Sequence, residues 1–337
     1  MGRRRKTVGN YAMLAAAVAM AATATAPALA EWKPKTNVEY FVPAGPGGAV
    51  DTYARIMGKI MDDKKLLNGE QLIVLNKPGG AGMIATGELV KRAGNGHVFT
   101  LFNNGYIISS ELGDFRYDLN KDFTMGPVLY EESMGVAVSY DSPIRTGRDL
   151  IDALKSDPTG LRIGVAPSLV GNIYMSIAYP LLESGVDLTR LTVAPFRSSA
   201  ETMVALRGKH IDVMAGSVAN MLDAIASQQI RVIAVTSGER LSGPLADVPT
   251  WKEQGVDISF GGYNGVLFPK DMSEDQMAYW ESVFKTVYES EEWQETMKRY
   301  QLQPAYIDHQ AAQQFLAEQI GETIRLMKQL NISKASN

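Results

Sequence analysis

Along most of the chain, short apolar runs alternate with segments whose apolar positions recur at helical spacing, the pattern of βαβ units built round a mostly parallel sheet. Residues 38–42 read as a strand, 43–49 as a glycine-rich turn, and Tyr53, Ile56, Met57, Ile60 and Met61 fall on one helix face. A strand at 71–75 runs into a second glycine-rich turn, 76–82, then a helix to about Arg92 and a strand at 99–102. After a strand at 135–138 the alternation resumes: helix 146–155, strand 161–165, helix 172–182, strand 191–194, helix 199–207, strand 211–215, helix 218–228, strand 232–235. Thr146/Asp149, Ser198/Glu201 and Thr250/Glu253 carry the hydroxyl-then-acid spacing of a capping box, which marks helix starts. From 273 to 330 the pattern is helical, with Phe315, Ile320, Ile324 and Met327 as an imperfect apolar stripe expected to pack back on the body.

The N-terminus departs from this pattern. Arg3, Arg4, Arg5 and Lys6 precede an apolar run from Ala12 to Ala22, and Ala28-Leu29-Ala30 offers small residues for a signal peptidase. That run is shorter than the roughly 20 residues needed to span a bilayer. Residues 1–30 therefore read as a signal peptide cleaved near Ala30/Glu31, and the mature protein as periplasmic. The residues after the arginines lack the usual twin-arginine pattern, which favours export in the unfolded state.

The chain has no cysteine, which excludes disulfides, thiolate metal sites, a cysteine nucleophile and a lipid anchor on an N-terminal cysteine. Four of the 33 basic residues lie in 1–30, so 29 face 37 acids in the mature part, a formal charge of −8 that disfavours nucleic acid as a partner. His97, His210 and His309 are scattered and sit in no metal-ligand or nucleophile motif. Gly45-Pro46-Gly47-Gly48 lies between strand and helix, but its spacing is not that of a dinucleotide fingerprint. The expectation is a protein without enzymatic activity, cofactor or metal. The glycine-rich turns instead suggest anion binding, because glycine lets the backbone approach a ligand and the free N–H groups of a helix's first turn favour a carboxylate.

Phe41-Val42-Pro43-Ala44-Gly45-Pro46-Gly47-Gly48-Ala49-Val50-Asp51, followed by Asn76-Lys77-Pro78-Gly79-Gly80-Ala81-Gly82, resembles the two N-terminal signatures of the tripartite tricarboxylate transporter substrate-binding proteins, the Bug or TctC-type receptors. Tyr117 to Phe123, Ala194 to Arg197, Gly208 to Met214, Ile233 to Ser237 and Leu245 to Thr250 resemble further family stretches in the same order. The resemblance implies an α/β, two-domain periplasmic-binding-protein fold (type II-like), each domain a mixed, mostly parallel sheet flanked by helices, with a ligand cleft between the domains. Domain I would take 31–134 plus 260–337 and domain II 135–259, with crossings near Gly135 and in 260–268. By position it implies ligand contacts from Ala44, Gly47, Gly48 and Ala49 in the first loop and from Asn103 and Asn104 at a strand end. Ser168, Gly171, Phe196, Arg197, Ser198 and Ser217 would supply domain II.

The departures bear on the ligand. Ala44 stands where the family usually has an aromatic residue, Val50 where it has Thr or Ser, and Ala166-Pro167-Ser168-Leu169-Val170-Gly171 where it has a glycine-serine-rich loop; all three add apolar character. Arg197 replaces a usual lysine and could grip a carboxylate in two places. Asp51 is expected to stabilise the first loop. The resemblance implies a receptor that captures a small organic carboxylate and delivers it to the membrane permease subunits of a tripartite transporter; the departures point to a mono- or dicarboxylate on an aromatic or aliphatic body rather than citrate, and the protein is expected to be a monomer. The alternative is an exported sensor presenting its ligand to a signalling ectodomain.

Overall fold

The computed structural model describes residues 32–47, 49–166, 171–259 and 261–329. The expected signal peptide therefore lies outside the described residues, as do Gly48, Ser168, Leu169, Val170 and Phe260. Among the described residues no helix is long and apolar enough to cross a membrane.

Among the described residues ten strands join in one hydrogen-bonded network, and one strand holds it together. β1 (Val38–Val42) lies between β2 (Leu72–Asn76) and β3 (Val98–Asn103), all parallel. β3 then pairs antiparallel with β9 (Gly261–Pro269), and β9 with β4 (Phe123–Ser139). At about 3.3 Å per residue, the 17 residues of β4 reach roughly 55 Å, enough to serve two sheets in succession. Its first part, through Ser133, lies between β9 and β10 (Leu302–Ile307); from Met134 on it lies between β7 (Val213–Ser217) and β8 (Ile230–Val235). Beyond β7 come β5 (Arg162–Val165) and β6 (Thr192–Pro195), again parallel. Buried Thr236 pins the change-over, its N–H donating to the Met134 carbonyl at 2.9 Å while its Oγ1 accepts from the Met134 N–H at 3.1 Å. The chain is thus an α/β protein with a mixed sheet in two halves, parallel except along β4 and β9.

Helices cover both halves. α1 (Ala49–Asp63), α2 (Met83–Val90) and α3 (Gly105–Leu112) follow β1, β2 and β3; α4 (Gly147–Ser156), α5 (Asn172–Glu183), α6 (Ser199–Arg207) and the short α7 (Leu222–Ala226) belong to the second half. α8 (Glu274–Glu289), α9 (Glu291–Tyr300) and α10 (His309–Gln329) form the C-terminal part, which β10 interrupts. α4 begins with a complete capping box from Thr146 and Asp149, and α6 is capped by the Ser198 hydroxyl. The third pair is also reciprocal, but it closes only a 3₁₀ turn at Lys252–Gln254.

Each half has its own core. In the first, Phe99 is surrounded by Tyr40, Trp280, Phe284 and Phe268 at ring separations of 4.6 to 5.9 Å, mostly edge-on or tilted. The buried indole is satisfied, Trp280 Nε1 donating to the Gly96 carbonyl at 2.9 Å. In the second, Leu150, Ile151 and Leu154 of α4 pack with Ile163, Val213 and Trp251 on one face of the sheet, and Leu206, Met214 and Met221 on the other. α10 docks through Ala312, Leu316, Leu326 and Met327; of the expected stripe, Phe315, Ile320 and Ile324 lie at the half-buried margin.

Candidate functional site

Four loops at the carboxyl ends of parallel strands meet where the two halves face each other, the usual ligand position in open α/β sheets. The first, between β1 and α1, is organised from beneath by Asp51. This carboxylate is 3% exposed; it accepts from the Gly47 N–H at 2.9 Å, from Arg55 Nε and Nη2 at 3.1 and 2.9 Å, and from Asn76 Nδ2 at 2.9 Å. The Arg55 hydrogen bonds, helped by those from Gly47 and Asn76, hold its pKa down at about 2. Asn76 Nδ2 also donates to the Ala44 carbonyl at 2.9 Å, so the end of β2 ties both sides of the loop. Gly47 supplies the positive φ of +80° that the turn requires.

The second glycine loop packs on an aromatic ring. Gly82 has a φ of +91°, and a Cβ there would sit 2.3 Å from the ring of Tyr106, so only glycine lets the loop lie against that tyrosine. Tyr106, in the first turn of α3, stacks on Phe115 with ring centroids 5.0 Å apart and planes at 13°. It is 3% exposed and its hydroxyl makes no hydrogen bond of good geometry, although burial raises its pKa and the hydroxyl of Thr100 lies near. Just before α3, Asn103 Oδ1 accepts from the Gly105 N–H at 2.8 Å, which leaves its amide N–H groups as what it can offer a ligand.

Between the two halves lies a cavity of about 600 Å³, within the size range of small-molecule sites. The first residues or N-caps of four helices reach its wall: Val50 of α1, Gly82 before α2, Gly105 of α3, and Gly171 and Asn172 of α5. Each of these helices has eight residues or more. Their N-terminal partial charges therefore converge on one space. Among the described residues no basic side chain lines it, and none of the undescribed positions between 48 and 260 is basic. The charged side chains in the wall are both acidic. Asp114 is exposed; Glu132 comes from β4 one residue before Ser133, where its pairing changes. Loss of hydration pushes the Glu132 carboxyl up to about 7, and the nearby Ser217 hydroxyl, which forms no well-directed hydrogen bond, offsets only part of this.

The structure distributes the sequence-derived candidates unevenly. Ala44, Asn103 and Gly171 line the cavity. Gly47 does not, and its N–H is committed to Asp51; Ala49 opens α1 beside the lining residue Val50. Asn104 is buried away from the space, its Nδ2 donating to Gln319 Oε1 of α10 at 2.9 Å. Ser217 is buried against Glu132, behind the wall rather than in it. Phe196 packs on the core of the second half and donates its N–H to the Val165 carbonyl at 2.8 Å. Ser198 caps α6 by accepting from the Glu201 N–H. The Arg197 side chain is 90% exposed and pairs with Glu201 one helical turn on, so the expected two-point carboxylate grip gives way to a surface ion pair. Glu132, Tyr106, Asn172 and Asn264 are lining residues that sequence reasoning missed. The adjacent acids Glu131 and Glu132, set in an apolar run, were the visible signal for the first. Among the described residues no cluster of His, Asp or Glu could hold a metal ion. His97 accepts from the Lys35 N–H at 3.1 Å, and His309 Nδ1 lies 2.9 Å from Glu281 Oε2.

Solved structures share this architecture. Periplasmic binding protein BugD aligns over 90% of this chain and 100% of its own at 24% identity, with a TM-score of 0.74. An R. palustris protein solved with adipate aligns over 90% and 99% at 22% identity, TM-score 0.79, and MatC from Rhodopseudomonas palustris, solved with malate, over 87% and 99% at 22%, TM-score 0.70. The fold is that of a two-domain periplasmic binding protein. Residues 54–332 match the model of the tripartite tricarboxylate transporter family receptor, and the chain belongs to that family of periplasmic receptors. The UPF0065 protein in the gbd 5′ region of Cupriavidus necator is 25% identical over 334 residues, 99% of each chain. Protein BugT of Bordetella pertussis is 26% identical over 73% of this chain and 74% of its own.

Proposed function

We propose that this protein is exported to the periplasm behind residues 1–30, captures a small organic carboxylate in the cavity between its halves, and delivers it to the membrane subunits of a tripartite transporter without chemical turnover. The observation that carries this reading is the convergence of four helix N-termini on a space with no basic side chain in its described wall. Such a wall favours an anion through backbone N–H groups and helix dipoles, each termini contribution on the order of 0.3–1 kcal/mol and larger where water is excluded. Relatives of the same fold solved with adipate and malate support the ligand class. In this reading residues 31–134 plus 260–337 move against 135–259, bending where β4 changes partners and near residue 260. The contacts come from Ala44, Asn103 and Gly171 together with Tyr106 and Asn172, and the receptor works as a monomer.

A panel of mono-, di- and tricarboxylates tests it by thermal shift, since a ligand that binds only the folded state raises the melting temperature. At least one acid should raise it and also lower the radius of gyration in solution scattering. A panel with no shift and no compaction would overturn the reading.

A further inference from the structure

The cavity wall carries charge of both signs. The N-termini of α1, α2 and α3 from the first half and of α5 from the second favour negative charge. Glu132 of β4 and the exposed Asp114 are negative themselves. No Lys or Arg of the described wall answers either acid, and the part of the chain after residue 30 carries eight more acids than bases. The neighbours of Glu132 are neutral hydroxyls: Ser217 at the end of β7, Tyr53 of α1 and Tyr130 of β4. The Tyr53, Ser217 and Tyr106 hydroxyls all lack a well-formed hydrogen bond, and each of these residues is at least nine-tenths buried; Tyr106 is part of the wall itself. A carboxyl held among such groups in a space that otherwise selects anions is costly unless something brings a positive charge to it. A dianionic ligand makes that worse, because its second carboxylate would face Glu132 with no cation between them.

We propose that the cleft takes a zwitterion: a small ammonium carboxylate whose carboxylate rests on the helix N-termini and whose ammonium group is paired by Glu132. This inference rests on the capture reading above and narrows its ligand class. The ammonium donates hydrogen bonds to the Glu132 carboxylate, which the buried Ser217 and Tyr53 hydroxyls neighbour from behind the wall without reaching the ligand. Asp114 favours the approach of the cationic end and disfavours dianions. Glu132 is then the residue that decides specificity, while the carboxylate anchor is shared by every acid that binds.

Matched ligand pairs test it by calorimetry at pH 8: butyrate against 4-aminobutyrate, pentanoate against 5-aminopentanoate, propanoate against alanine, and glutarate as the dianion. At least one amino acid should bind tenfold or more tightly than its amine-free partner, and glutarate should be weaker than 5-aminopentanoate. Glu132→Gln should abolish that preference from both sides, weakening the amino acids and tightening the amine-free acids and glutarate as the opposing charge is removed, and its unfolding curve shows that the variant is folded; a variant that weakens both series alike would overturn the pairing. If amine-free acids or glutarate bind as well as the amino acids, the zwitterion proposal is wrong while the capture reading stands. If neither series binds and the wider carboxylate panel also fails, both fall.

Discussion

Replacing Glu132 by Gln keeps the side chain's shape and removes its charge, so the variant isolates what that charge costs the ligand-free fold. The carboxyl ionises near 4.5 in an unfolded chain and near 7 in the folded one, because burial penalises the charged form. Below 4.5 the side chain is neutral in both states and carries no penalty. Between 4.5 and 7 the folded state binds more protons than the unfolded, and stability falls as pH rises; above 7 the penalty is complete. At about 1.4 kcal/mol per pH unit the displacement has a ceiling of about 3 kcal/mol. Glu132 keeps part of its surface open to the cavity, and water there lowers the expected cost to about 1–3 kcal/mol. That is a large part of the 5–15 kcal/mol typical of a folded domain. Urea unfolding of both proteins at pH 4.5 and pH 8 reads it out, with other titrating groups cancelling in the difference. Glu132→Gln should match the wild type at pH 4.5 and exceed it by about 1–3 kcal/mol at pH 8. A difference that does not change with pH, or a variant less stable at pH 8, would show that the charge is already well solvated or paired.

Four other outcomes follow from the geometry. Asp51→Ala strips the first loop of its central acceptor and leaves the Gly47 N–H and Asn76 amide without it; it should cost about 1–3 kcal/mol and weaken ligand binding, whereas unchanged unfolding would remove Asp51 from its positioning role. Since the folded Asp51 carboxyl is held near 2, its contribution is present above about pH 4 and lost as pH falls toward 2, a loss that acid titration of the wild type against Asp51→Asn should display. Gly82→Ala combines an unfavourable φ of +91° with a contact 2.3 Å from Tyr106, and should lose about 2 kcal/mol or more in denaturant unfolding; a neutral result would mean the second loop can move off the ring. In competition calorimetry, citrate should bind at least tenfold more weakly than the best mono- or dicarboxylate, amino acids included, because each extra carboxylate must be desolvated beside Glu132 and Asp114 without a basic partner; parity would show that the wall's charge has been misread.

Local signals were enough for much of the architecture. The alternation of period-two and helical patterns located β1, α1, β3, α5 and α6 to within a residue or a few, because in these elements the apolar face that packs is written into neighbouring positions. The Thr146/Asp149 box marked the start of α4 because capping is a bond between residues three apart. Where the pattern failed, the cause was non-local. β4 contains Gly126 and Pro127, which break a strand signal, yet it continues past them through a shift in register against β9, whose Gly265 lies close enough that a Cβ there would meet the Pro127 carbonyl at 2.8 Å. β10 was hidden inside a helical stretch and exists because β4 offers it an edge.

The same division runs through the site. Its glycine turns, and the order of motifs that marks the receptor family, lie in short stretches of sequence, since a turn that needs positive φ or a bare backbone leaves its mark in the residue type itself. Which side chains then share the cavity was decided by the fold alone. Arg197 follows a motif that pointed to the ligand, but its position in the first residues before α6 gives it Glu201 as partner and solvent as surroundings. Glu132 sits in no motif. It becomes the charge in the cavity wall because β4 crosses from one half of the protein to the other beside it, bringing residues of α1, α3 and α5 round one carboxyl that burial keeps from its usual hydration.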